Sequence, residues 1–100
     1  MAEQGDVWTN GVTTITTGNT IKFQPPSSNE GVIHNLVISG TGEWITDIYD
    51  ETSTKSATIS SDNVEVLYTR MYWHCTNTCY YRVTCISGTL NVHFDGVITK

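Results

Sequence analysis

The chain has 100 residues and a formal net charge of -5, ten Asp and Glu against five Lys and Arg. That length fits one small domain with one core, and the ordinary aliphatic and aromatic content argues against a disordered chain. The few cations form no basic stripe, which disfavours nucleic acid and anionic membrane surfaces, and no apolar run reaches the roughly 20 residues that span a bilayer.

Thr, Ser, Val, Ile and Tyr are abundant, and these side chains suit a pleated surface better than a helix. Alternating apolar runs predict strands near 6–9, 11–17, 20–24, 31–39, 43–47, 55–60, 64–75 and 88–94. The turn signals between them are Asn10-Gly11, Gly18-Asn19, Pro25-Pro26, Gly40-Thr41-Gly42, Ser61-Asp62-Asn63, Ser87-Gly88 and Asp95-Gly96. They recur at the roughly 8–12-residue spacing of a sandwich or barrel. Pro25 to Glu30 reads as a loop, because too little chain precedes it for a domain boundary. Residues 1–100 therefore read as one all-β domain.

Period-two counting assigns faces. In 31–39, Val32, His34, Leu36 and Ile38 share one face, and Ile33 and Val37 the other. This is a central strand with a His planted in it. In 64–75, Leu67, Met71, Trp73 and Cys75 point inward, and Val64, Val66, Tyr68, Tyr72 and His74 outward. In 88–94, Leu90, Val92 and Phe94 point inward, and Asn91 and His93 outward. His74 and His93 are thus expected at the surface. Trp8, Trp44 and Trp73 are expected as core or edge aromatics.

Three cysteines, Cys75, Cys79 and Cys85, lie within eleven residues. An odd count precludes full pairing within the chain. A bridge in so short a loop adds little by chain entropy. Two readings stand open: one bridge with a free thiol, or a local metal or redox site. The odd thiol also leaves a linked dimer open.

Soft thiolates beside an imidazole are a copper ligand set. The arrangement of Val32-Ile33-His34-Asn35, then Tyr72-Trp73-His74-Cys75-Thr76-Asn77-Thr78-Cys79, then Gly88-Thr89-Leu90-Asn91-Val92, resembles the cupredoxin family. It is most similar to the CuA copper domains of cytochrome oxidase subunit II and nitrous oxide reductase, with a loop pattern Cys-x3-Cys-x3-His-x2-Met. The similarity covers about residues 31–94, and it departs where the loop His falls on Val83 and the Met on Ile86. The resemblance implies a single-domain antiparallel β-sandwich of cupredoxin-like Greek-key form. It implies a degenerate copper site of His34, Cys75 and Cys79, with the Asn77 carbonyl placed as a further ligand and Cys85 as an extra thiolate. Zinc is a further option with the same residues.

The function expected on that basis is electron transfer or copper carriage with a redox or copper-delivery protein partner. The alternative is a metal-free structural or protein-interaction module, an accessory piece of a larger complex. An extracytoplasmic location follows from the resemblance. Met1 to Gly5 has no basic region and no apolar core and does not read as a signal peptide, so a trimmed mature domain is expected. Asp47, Asp50 and Glu51 form an acidic turn, solvated by default and otherwise able to steer a basic partner. Tyr80, Tyr81 and Arg82 are expected in the loop that holds the metal. No nucleophile elbow, carboxylate pair or Gly-rich phosphate loop is present, so no enzymatic activity is expected.

Overall fold

A computed structural model describes residues 3–52, 55–62 and 65–100, with 55–62 described as backbone. Ten strands run in chain order: β1 (Val7–Thr9), β2 (Thr13–Thr16), β3 (Thr20–Phe23), β4 (Glu30–Gly40), β5 (Glu43–Asp50), β6 (Lys55–Asp62), β7 (Val66–Tyr68), β8 (Trp73–Thr76), β9 (Cys79–Ser87) and β10 (Thr89–Ile98). They form two antiparallel sheets. In the six-stranded sheet, β10 pairs on one side with β1 and β2 and on the other with β4, whose far side carries β7 and β8. The four-stranded sheet has the order β3-β9-β5-β6.

The two inner faces meet as a β-sandwich, as the composition leads one to expect. Ile15, Ile33, Leu36, Ile38, Leu90, Val92 and Phe94 from one sheet pack against Phe23, Trp44, Val83 and Cys85 from the other. Phe23 and Phe94 join the layers with ring centroids 4.6 Å apart. Leu90, Val92 and Phe94 point inward as counted. Trp44 is a core residue, and Trp8 and Trp73 pack half-buried against the core.

Three departures from period-two reading shape the surface. The expected strand 64–75 is two strands, and its Val64, like the turn residue Asn63, lies outside the described residues. Between them Arg70 adopts φ 57°, a left-handed conformation that interrupts the ladder and restarts the alternation. Val66 and Tyr68 therefore pack against the core, and Leu67 turns outward with 67% exposure.

In β4, Asn35 opposes Asp95 and Ile33 opposes Gly96, leaving His34 as an extra residue. This β-bulge flips the phase of the strand. Ile33, Leu36 and Ile38 reach the core from both sides of it, and Val32 and Val37 fall on the outer face instead of sharing one with its opposite.

The third departure is β9. Residues 79–87, expected as the metal-side loop, are a central strand between β3 and β5. Tyr81, Val83 and Cys85 point into the core, Arg82 and Thr84 alternate outward, and Tyr80, on their side of the strand, is nonetheless fully buried.

Candidate functional site

The residues expected to hold a metal do not converge. Cys75 lies opposite Gly31 on the inner side of β8, without exposure, its thiol 3.8 Å from the Trp73 carbonyl oxygen. Burial pushes its pKa up to about 12, with the Cys79 beside it adding to the shift and the Tyr81 backbone N–H opposing it. Cys79 opens β9 opposite Asp50, and burial and then the Asp50 charge raise its pKa too. The thiolate is the form that ligates metal, and both environments disfavour it. His34 sits at the bulge, its Nδ1 3.3 Å from the Met71 carbonyl oxygen.

The other expected donors are engaged elsewhere. The Asn77 carbonyl accepts a 2.7 Å hydrogen bond from Gln24 Nε2. The Cys85 thiol is buried beside the carbonyls of Ser87 and Gly88 at 3.3 and 3.5 Å. Val83 is a core residue of a central strand, so the place of the family's loop His is filled by packing. All three cysteines are free thiols, which sets aside a bridge between Cys75 and Cys79.

The outer face of the six-stranded sheet gathers a different set of residues. One cross-strand row runs Val7, Val97, Val32 and His74 over β1, β10, β4 and β8. Another runs His93, Val37 and Leu67 over β10, β4 and β7. Val7 is 77% exposed, and Tyr72, between β7 and β8, is 73% exposed. Val97 and Val37 are half-buried, and Val32 is closed off by its neighbours.

Between the two rows lies a polar cluster centred on Asp95. Asn35 Nδ2 donates to Asp95 Oδ1 at 2.6 Å, and His93 Nε2 lies 3.1 Å from Asp95 Oδ2. His93 Nδ1 donates to the Gly11 carbonyl. The Asn35 bond first, and His93 after it, hold the Asp95 carboxyl below its usual range against the opposing effect of burial. At the edge of the face, Glu30 takes His74 Nε2 at 2.8 Å and Lys100 Nζ at 3.6 Å.

The outer face of the four-stranded sheet is closed by pairing. Arg82 forks onto Asp47 at 2.9 and 2.7 Å and lies 4.4 Å from the Tyr49 ring centroid. Tyr80 donates to Glu51 at 2.8 Å, and burial followed by that bond raises its pKa to about 12. Asp50 accepts the Thr52 N–H at 2.9 Å, so all three acidic-turn residues are engaged within the protein.

No protein-family model and no curated protein matches this chain. Among solved structures it is similar to Drosophila NLP-core, whose crystal structure gives insight into pentamer formation and histone binding of that protein. The identity is 10% and the TM-score 0.49, over 91% of this chain and 100% of that one, a likeness that carries no functional argument.

Among the described residues, no three His, Cys, Asp or Glu side chains stand together as a metal site. The resemblance to the CuA domains is therefore corrected, and with it the copper function in electron transfer or carriage. The spacing Cys-x3-Cys is here the turn from β8 to β9, closed by Thr76 Oγ1 accepting the Cys79 N–H at 3.0 Å. Sequence reading missed Asn35, Asp95 and the exposed Val7 and Leu67. The usable signal was Asp95-Gly96 facing His34-Asn35, a pair of polar positions inside two strands that are otherwise apolar.

Proposed function

We propose that this domain is a non-catalytic protein-interaction module that binds through the outer face of its six-stranded sheet. The observation that carries the reading is the exposure of Val7, Leu67 and Tyr72 on or beside one sheet whose inner face already supplies the core. Val7 and Leu67 stand at opposite edges of that face with the half-buried Val97 and Val37 in their rows, so apolar side chains reach across its width, and exposed apolar surface marks an interaction site. The polar cluster between the rows fits the same role, since interfaces combine apolar anchors with hydrogen-bonded polar groups.

The test uses three immobilised forms of the protein: wild type, V7D/L67D, and T20D as a control on exposed Thr20 of the other sheet. Proteins retained by wild type and T20D and lost from V7D/L67D support the module. The same set retained by all three forms refutes it, provided circular dichroism shows all three folded.

A further inference from the structure

We infer that Asn10 is a site of spontaneous covalent modification, a deamidation that the folded strand pairing holds back and that, once made, weakens the hold of β1 on β10. Of the asparagines in the chain, only Asn10 precedes a glycine. The fold asks for both residues. Thr9 of β1 lies opposite Asp95 and Thr13 of β2 opposite Val92, so Asn10, Gly11 and Val12 stand against only His93 and Phe94. Gly11 takes up the extra length at φ 66°, a left-handed conformation that side chains disfavour. The Asn10 carboxamide then completes the edge. Its Nδ2 donates to the Val92 carbonyl at 2.9 Å and its Oδ1 accepts the Phe94 N–H at 2.8 Å, as a peptide group of a neighbouring strand would. The same Nδ2 donates to Thr13 Oγ1 at 3.0 Å.

This pair of residues is also reactive. When hydroxide takes the Gly11 N–H proton, the nitrogen can attack the Asn10 Cγ, and Gly11 has no Cβ to obstruct it. The new N–Cγ bond closes a five-membered succinimide. The Cγ–Nδ2 bond breaks, and the nitrogen takes a proton from water and leaves as ammonia. Water then opens the ring at either carbonyl, giving aspartate or isoaspartate. The net exchange is one water taken up for one ammonia released.

The folded protein restrains both reacting groups. The Gly11 N–H donates to Thr9 Oγ1 at 3.1 Å, and the Gly11 carbonyl is held by His93 Nδ1. The carboxamide is fixed by its bonds to β10 and Thr13. The reaction therefore requires the connection between β1 and β2 to open. Its product does not fit the place it came from. A carboxylate sets an acceptor against the Val92 carbonyl oxygen, which loses its donor. Isoaspartate also adds a backbone carbon to a segment whose register is fixed on both sides.

Peptide mapping of the whole chain by mass spectrometry tests this, after incubation at mildly alkaline pH with and without urea. Fragmentation of the peptide ending at Lys22 separates Asn10 from Asn19, and an isoaspartyl methyltransferase confirms isoaspartate. Asn10 is expected to convert at least about tenfold faster in urea than in the native protein. T9V removes the acceptor of the Gly11 N–H, and is expected to raise the native rate and leave the rate in urea unchanged. N10D carries the aspartate product, and its amide exchange is expected to quicken in Val7, Trp8 and Thr9 and not in β9. Should N10D not fold, deamidated wild type separated by ion exchange gives the same comparison. Equal rates in the native and unfolded chain overturn the inference. So does a native rate indifferent to T9V, or a β1 whose exchange the modification leaves unchanged.

Discussion

The side-chain amide of Asn35 reaches the carboxylate of Asp95 at 2.6 Å across the place where β4 carries one residue that β10 does not match. The bulge and the bond belong together. The extra residue His34 turns Asn35 to the outer face opposite Asp95, while Ile33 and Leu36 keep their places in the core.

Acid should weaken the fold through Asp95. Its folded pKa lies below the usual value, chiefly because of the Asn35 bond. A depressed carboxylate contributes stability that is present above its unfolded pKa and lost as pH falls through the folded one. D95N should thus cost stability at pH 7, with the gap to wild type beginning to close below pH about 4 and shrinking further as pH falls through the lowered folded value. The side chain is 37% exposed, so solvent screening limits the difference at pH 7 to about 1 kcal/mol. Urea denaturation at pH 7 and pH 3 measures it, and an equal gap at both values would remove Asp95 from the account.

Alkali should act through Cys75. Its thiol rises from 9.0 to about 12 on folding, mainly by burial. A raised pKa means stability that is complete below the unfolded value and lost as pH climbs through the folded one. Three units correspond to about 4 kcal/mol in favour of the neutral thiol. Stability should therefore fall between pH 9 and about 12, and C75A should flatten that limb while leaving the part that belongs to Tyr80. Half-buried Cys79 should react first with a thiol reagent at pH 8, and buried Cys75 and Cys85 only on unfolding. Equal reactivity of all three in the folded protein would contradict this packing.

Two glycines separate a soft clash from a hard one. A Cβ on Gly31 would stand 2.6 Å from the Trp8 ring, a half-buried side chain at the sheet edge. A Cβ on Gly96 would fall onto the Val32 carbonyl oxygen, which is backbone in the central strand pair. G31A should cost about 1–2 kcal/mol as Trp8 shifts, and G96A more than about 3 kcal/mol. Thermal melts decide the order. Trp8 emission should change in G31A whether or not stability does.

The sandwich was legible because β-branched alternation and turn residues report backbone geometry directly, and the inward set Leu90, Val92 and Phe94 was read correctly. Phase was lost wherever the backbone departed from period two. His34 at the bulge and Arg70 at positive φ each reversed the faces downstream, and neither residue type announces such a site. The segment Tyr80 to Cys85 alternates plainly and was hidden by a resemblance that assigned it to a loop. The thiols had the right spacing for copper and the wrong surroundings. Spacing along the chain does not say whether donors converge in space, and among the described residues no three His, Cys, Asp or Glu side chains stand together.

The last prediction concerns what holds β5 to β9 on the exposed side. Arg82 meets Asp47 through two bonds of 2.9 and 2.7 Å while its guanidinium covers the Tyr49 ring at 4.4 Å. Both partners are largely shielded, with side-chain exposures of 21% and 11%. Removing one leaves the other's charge poorly solvated, so R82A should cost about 2–3 kcal/mol. R82K keeps the charge but loses the fork and the flat stack on Tyr49, and should recover less than half of that loss. A double-mutant cycle of R82A with D47A isolates the pair, with coupling expected at about 1–2 kcal/mol. Costs that simply add would mean that cross-strand register and Tyr49 packing hold this edge together without the ion pair.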